Sequence, residues 1–298
     1  MRNWTSAALL CVLAACSDSG DDFDATGIFE STEVIVSSEA NGRIMVLDLE
    51  EGDILQAGQE VGYIDSVQLF LGRLQLEATL RSVGSRKADI AKQVAATREQ
   101  ITKAELELAR NKNLLRLNVG TQKQVDDMES ERAVLQKQLE AQLSSLNLNN
   151  EGVTEDAYAT IAQIQQMEDK LNKCRIISPI DGTVLTKYSE QGELAAQGTP
   201  LFKIADMKHI FLRAYVTGDQ LTTVRLGQDA AVFADYGSDD KRKYAGKVTW
   251  ISDQAEFTPK TIQTRDERAN LVYAVKVAVE NDGLLKLGMY GEVKFANE

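Results

Sequence analysis

Between residues 67 and 174 the apolar positions keep the spacing of a helix. Leu80, Val94, Ile101, Leu108 and Leu115 fall on one seven-residue lattice, and Leu76, Val83 and Ile90 on a neighbouring one four residues back. Further along come Val125, Met128, Leu135, Leu139 and Leu146, then Ile161, Ile164, Met167 and Leu171. Charged residues and glutamines fill the other positions, and the stretch holds no proline. This pattern predicts two long helices meeting along a narrow seam. The stretch "LNVGTQ", Leu117 to Gln122, sits at the midpoint, and its Gly120 is free to take φ > 0 and turn the chain. The two arms are equal, so an antiparallel hairpin of about 75 Å follows. Two weak points interrupt them, "SVGSR" (Ser82 to Arg86) and "NLNNEGVTED" (Asn147 to Asp156). Both lie at a similar distance from the turn. That predicts a joint at one height in both arms, with an outer pair of about 50 Å and an inner pair of about 25 Å.

On either side of this stretch the period drops to that of strands. The segment "NGRIMVLDLEEGDILQAGQEVGYID", Asn41 to Asp65, has a gapless copy in "DGTVLTKYSEQGELAAQGTPLFKIAD", Asp181 to Asp206. Gly42, Gly52 and Gly58 recur as Gly182, Gly192 and Gly198, at a constant offset of 140. Each copy reads as short strands between glycine turns, "GRIMVLDL", "GDIL", "EVGYID" and "GTVLTKY", "GELA", "PLFKIAD". Neither half buries its apolar face alone, whereas together they close one small sandwich. The hairpin then sits where the halves would otherwise join.

Beyond Asp206 the strand pattern continues in "HIFLRAYV", "DAAVFADY", "YAGKVTWIS", "NLVYAVKVAV" and "YGEVKF". With "IFESTEVIV" from Ile28 this makes six strands, enough for a small antiparallel barrel. Thr217 to Gly227 predicts one short helix opened by Asp219. The fold class is therefore α+β, and the chain runs out through barrel, half-sandwich and helix and returns in reverse order.

Composition narrows the function. The net charge of the 298-residue chain is −12, which repels nucleic acid, and no basic stripe offsets it. The N-terminus "MRNWTSAALLCVLAACSDSGDD" has Arg2 before a short apolar run, Ala7 to Ala15, too short for a mature membrane span and suited to a cleaved leader. Its end, "LAAC", resembles the cleavage site of bacterial lipoproteins, with Cys16 as the acylated residue ahead of an acidic tether. A lipid plus a large partner makes a two-part attachment. With Cys11 in the leader and Cys16 modified, Cys174 is left alone, without a disulfide partner, and reads as a small buried hydrophobe beside Ile176 and Ile177.

Chemistry finds no foothold. The sole histidine, His209, starts a strand next to Ile210 and Phe211 and reads as structural. There is no CxxC, HExxH or GxSxG motif and no phosphate loop. Asp18, Asp21, Asp22 and Asp24 read as a solvated tether rather than a cation site. No catalytic, metal or cofactor residue is expected.

A split module of this kind resembles the lipoyl/biotinyl fold. The carrier lysine of that fold sits on the tight central turn, which the hairpin replaces here. The split pair, "CRIISPIDGTVLTKYSEQGELAAQGTPLFKIAD" and "GLLKLGMYGEVKF" together resemble the periplasmic adaptor, or HlyD-type membrane fusion, family from about Phe29 to Phe295. The stretch "AEFTPKTIQTRDERANLVYAVKV" is similar to the branch paired with ABC-type exporters, and the chain is too short for the extra membrane-proximal domain usual in adaptors of proton-driven pumps. The resemblance implies a lipoprotein signal (1–15), an acidic tether (16–27) and a barrel (28–36 and 207–298). It also implies a lipoyl-like sandwich (37–66 and 176–206) and a hairpin (67–175) with its tip near 117–122. It implies a non-enzymatic subunit of a tripartite efflux or secretion system. The copies would form a homo-oligomeric ring, a hexamer, in the periplasm of a Gram-negative bacterium. The ring would be lipid-anchored to the inner membrane, with an ABC permease and ATPase below it and an outer-membrane channel above. Adaptors that dock on such channels carry Arg, Leu four residues on and Ser seven further; Arg110 and Leu114 match, and Thr121 stands in for Ser, keeping the hydroxyl. Two alternatives stay open: a cofactor-carrier subunit of lipoyl/biotinyl fold, and a purely structural coiled-coil lipoprotein.

Overall fold

The structure is a computed structural model describing residues 23–237, 241–257 and 271–296. The sandwich uses strands from both ends of the chain. They are β1 (Ala25–Ser37), β2 (Gly42–Leu47), β3 (Ile54–Leu55) and β4 (Glu60–Ile64), then β5 (Arg175–Ile177), β6 (Gly182–Lys187), β7 (Leu194–Ala195) and β8 (Pro200–Thr217). One face is ordered β1–β8–β6–β3 and the other β5–β4–β2–β7. Each strand of the first has its counterpart 140 residues away in the second, so the module has an internal two-fold. Ile44 and Ile64 from one half and Val184, Phe202 and Ile204 from the other share one buried core. A fully buried side chain of this size contributes about 1.5–3 kcal/mol.

The two-fold is kept bond for bond. Gly52 N–H donates to Val184 O at 2.9 Å, and Gly192 N–H to Ile44 O at 2.8 Å. Gly58 N–H reaches Ser178 O and Gly198 N–H reaches Ser38 O, both at 2.8 Å. The hydroxyls of buried Ser38 and Ser178 donate to Ala40 O at 2.6 Å and Ile180 O at 2.8 Å. Glycine is required at Gly52 and Gly192 because their φ values are 98° and 94°, where a Cβ is disfavoured.

Four further strands, β9 (Asp229–Ala234), β10 (Arg242–Phe257), β11 (Leu271–Glu280) and β12 (Tyr290–Phe295), complete the barrel. Its order is β1–β12–β9–β10–β11–β8, and β8 pairs back onto β1. Closure leaves no free edge. Phe29, Leu212, Val232, Val277 and Val293 fill the interior. The stretches read as separate strands on either side of Asp206 are one strand, β8. It and β1 pass through both modules. β1 changes module at a register shift between Ser31 and Glu33 rather than after residue 36, and Val34 and Val36 pack on the sandwich core. The short helix α4 is confined to Gly218–Leu221 and is opened by Thr217, not Asp219. The Thr217 hydroxyl accepts from Gln220 N–H, and the Gln220 side chain accepts from Thr217 N–H at 2.9 Å.

The hairpin consists of α1 (Val67–Ser85), α2 (Ile90–Arg116) and α3 (Gln122–Lys173). Val83, Val94 and Leu108 of the first arm and Val125 and Val153 of the second are buried in the seam. Inside it the Thr97 hydroxyl donates to Gln142 Oε1 at 2.9 Å, a polar rung that the apolar lattice does not announce. Ion pairs Arg73–Glu168, at 4.0 Å near the base, and Lys112–Glu129, at 2.6 Å near the tip, share one antiparallel register.

Two expectations are corrected here. Only the first arm is broken: residues 86–89 leave the helix, whereas α3 runs 52 residues without interruption. Lys87 falls on the lattice of Leu80 and Val94, and a lysine in the seam would be desolvated. The helix opens instead and Lys87 is exposed. In α3 the same level is held by buried Val153 and Thr160, and Gly152 costs only about 1 kcal/mol. The outer pair is therefore set by the 27 residues of α2, about 40 Å. The turn, too, differs. Gly120 does not take a positive φ; Asn118 does, at 56°. Gly120 is needed for closeness, since a Cβ there would lie 3.1 Å from Leu115 N.

Candidate functional site

The hairpin tip is built from two helix ends whose backbone groups are satisfied. At the end of α2, Asn118 N–H donates to Leu115 O at 3.0 Å and Val119 N–H to Leu114 O at 3.1 Å, with Asn118 in the left-handed region. This is a Schellman closure. At the start of α3, the Thr121 hydroxyl accepts from Gln124 N–H at 3.4 Å, and Gln124 Oε1 accepts from Thr121 N–H at 3.0 Å. That is a capping box. The turn is thus held firmly without using its apolar side chains, which point to solvent.

Arg110, Leu114 and Thr121 all lie in these last turns with exposed side chains. Arg110 and Leu114 are one turn apart on α2, and Arg110 reaches only Glu107 of its own helix, at 3.6 Å. Leu114 is 37% exposed. Thr121 has a structural duty as the cap of α3, so its hydroxyl keeps its proton and one lone pair for a partner. Two residues at the tip escaped sequence reasoning, Leu117 and Val119, 65% and 76% exposed. The seam lattice passes them by because both sit in the turn. The signal was there in "LNVG", two apolar residues among turn formers.

Elsewhere the titratable groups are accounted for structurally. Burial pushes the Cys174 thiol up, and its Sγ–H donates to Lys170 O at 3.3 Å. Cys174 packs beside Ile176 in the sandwich core. The exposed His209 ring pairs with Asp206 at 2.9 Å. Burial raises the Asp206 carboxyl, but the His209 ring and the N–H groups of His209 and Lys208 outweigh it and hold the group below its ordinary value. Among the described residues no helix is long and apolar enough to cross a membrane, and no group of His, Cys, Asp and Glu could hold a metal. Cys16 lies outside the described residues.

Residues 32–207 match the family model described as RND MFP, barrel-sandwich hybrid domain. The chain belongs to the membrane fusion protein family. The match begins at the register shift of β1 and ends where β8 leaves the sandwich. The chain is similar to the UPF0194 membrane protein of Citrobacter koseri, 29% identical over 320 residues, 98% of this chain and 96% of the relative. It is as similar to the UPF0194 membrane protein YbhG of Salmonella paratyphi B, at 29% over 321 residues and the same coverage. In fold it is similar to MacA from Actinobacillus actinomycetemcomitans, with a TM-score of 0.58, 21% identity and coverage of 92% of this chain and 78% of that one. A MacA–MexA chimera carrying the Pseudomonas aeruginosa MexA hairpin gives a TM-score of 0.54, at 22% identity and coverage of 92% and 81%. Membrane fusion proteins are non-enzymatic adaptors of efflux systems, and in Gram-negative bacteria they are periplasmic. They work with inner-membrane transporters and outer-membrane channels.

Proposed function

We propose that this membrane fusion protein bridges an ABC-type transporter in the inner membrane to an outer-membrane channel. The copies assemble into a hexameric ring held to the inner membrane by a lipid on Cys16. The observation that carries this reading is the hairpin tip. A firmly closed turn at the far end of a 52-residue helix exposes Leu114, Leu117 and Val119 beside Arg110. Exposed apolar groups on a rigid support favour a docking contact. The ABC-type partner rests on the stretch Ala255 to Val277. An RND-type transporter is the second reading, favoured by the description of the matching family model. Co-purification from crosslinked membranes decides between them.

Leu114→Asp and Arg110→Asp should each lower export at least tenfold while circular dichroism, membrane fractionation and ring assembly stay unchanged. A charge forced into an apolar contact costs about 2 kcal/mol or more. Thr121→Ser should be nearly silent, because serine caps a helix as well as threonine. Normal export by both charge variants would sink the tip assignment. Cys16→Ala should lose fatty-acid labelling and membrane attachment; equal labelling of variant and wild type would remove Cys16 as the anchor.

A further inference from the structure

The break in the first arm is closed by one side chain from the second. Asn150 Oδ1 accepts from Ala88 N–H at 2.7 Å, and its Nδ2 donates to Ala88 O at 2.9 Å. The amide thereby satisfies both backbone groups of the residue at the centre of the interruption, and it is half-buried with Ala88. Three other features meet at this level. The seam of α3 alternates steps of four and three through Leu135, Leu139, Gln142 and Leu146, takes a second step of four to Asn150, and resumes at Val153. Such an inserted step locally unwinds the packing of two helices. Gly152, the sole glycine of α3, is two residues away, and a Cβ there would meet nothing within 4 Å. Outside Asn150, what ties the break to α3 is an exposed ion pair, Arg86–Asp156 at 3.8 Å, a weak restraint.

We propose that this is a latched hinge. Asn150 locks the interrupted arm onto the continuous one. When its amide lets go, the outer pair tilts about Ala88 while α3 bends at Gly152. The backbone of α3 keeps the pieces together, and the latch sets how often they swing. What the swing does for docking rests on the adaptor reading, but the hinge itself is a property of the isolated chain.

The test is made on the full-length protein purified alone. In Asn150→Ala, hydrogen exchange at Ala88 and the next amides should rise about tenfold or more, because two half-buried bonds are lost. Trypsin should cut after exposed Arg86 and Lys87 faster by a similar factor. Asn149→Ala, at an exposed neighbour, should change neither. Asn150→Asp keeps an acceptor for Ala88 N–H but no donor for its carbonyl, and should fall between. Spin labels on Arg81→Cys and Lys103→Cys, one on each side of the break, should show a broader distance distribution in Asn150→Ala. Adding Gly152→Ala, which stiffens α3, should narrow it again. Exchange rising evenly along both arms would overturn the hinge and leave Asn150 a general contributor to stability, as would an unbroadened distribution. Either result leaves the adaptor reading standing, because export enters none of these measurements.

Discussion

The sandwich and the hairpin are both built of two similar halves, yet they treat that similarity in opposite ways. The sandwich halves share few residues beyond their glycines and repeat each other's hydrogen bonds almost atom for atom. The hairpin arms have equal length and the same lattice period, yet one is broken and the other continuous. The difference lies in what sets each structure. In the sandwich, glycine turns and main-chain bonds fix the path, so side chains can diverge: Met45 corresponds to Leu185 and Tyr63 to Lys203. In the hairpin, main-chain bonds stay within each helix, and the seam depends on which side chain falls on the lattice. Lys87, which falls on that lattice, lies in the break of the first arm.

The largest expected effect comes where the sandwich halves themselves disagree. Gly62 occupies the place that buried Phe202 holds in the other half. A Cβ at Gly62 would lie 2.1 Å from the carbonyl oxygen of Val46. Gly62→Ala should therefore cost about 3 kcal/mol or more, read from urea unfolding. A loss below 1 kcal/mol would mean the strands part easily. Next come the twin serines. Ser38→Ala and Ser178→Ala each leave a half-buried carbonyl short of a donor and should each cost about 1 kcal/mol. Costs differing by more than about 1 kcal/mol would show that the two-fold is one of shape and not of energy. In the hairpin, Lys87→Leu with Asp89→Ala should heal the break, adding about four helical residues to the far-UV signal and up to about 1 kcal/mol of stability. An unchanged spectrum would place the cause of the break elsewhere. The smallest effect is electrostatic. Asp206 has its carboxyl held low in the folded state, so the stability it contributes is present above the ordinary carboxylate range. That contribution is lost as pH falls through the lowered folded value. Asp206→Asn should flatten the acid limb of the stability curve slightly and lower stability at pH 7 by a similarly small amount.

The sequence showed the architecture because its signals were periodic. A gapless repeat and two heptad arms leave few ways to fold. What it hid was decided by single groups. Asn150 reads as a helix breaker, yet α3 runs through it, and its side chain pairs with the amide and carbonyl of Ala88 in the opposite arm. Gly120 reads as the residue that turns the chain, whereas Asn118 takes the left-handed position and Gly120 makes room. Leu117 and Val119 were missed because a lattice search follows buried residues and they are exposed. The repeat itself was longer than it looked. Ser38 and Ser178 extend it towards β1 and β5, where Ile35 corresponds to Arg175 and sequence alone offers no match.

β1 and β8 run from barrel to sandwich without a linker, hydrogen-bonded to each other on both sides of the shift at Ser31–Glu33. A twisted pair of strands carries torque along its length, as a two-ply cord does. A rotation of the barrel would therefore wind the sandwich, and with it the roots of both arms at Val67 and Lys173. The slack in the molecule lies farther up, beyond the cord.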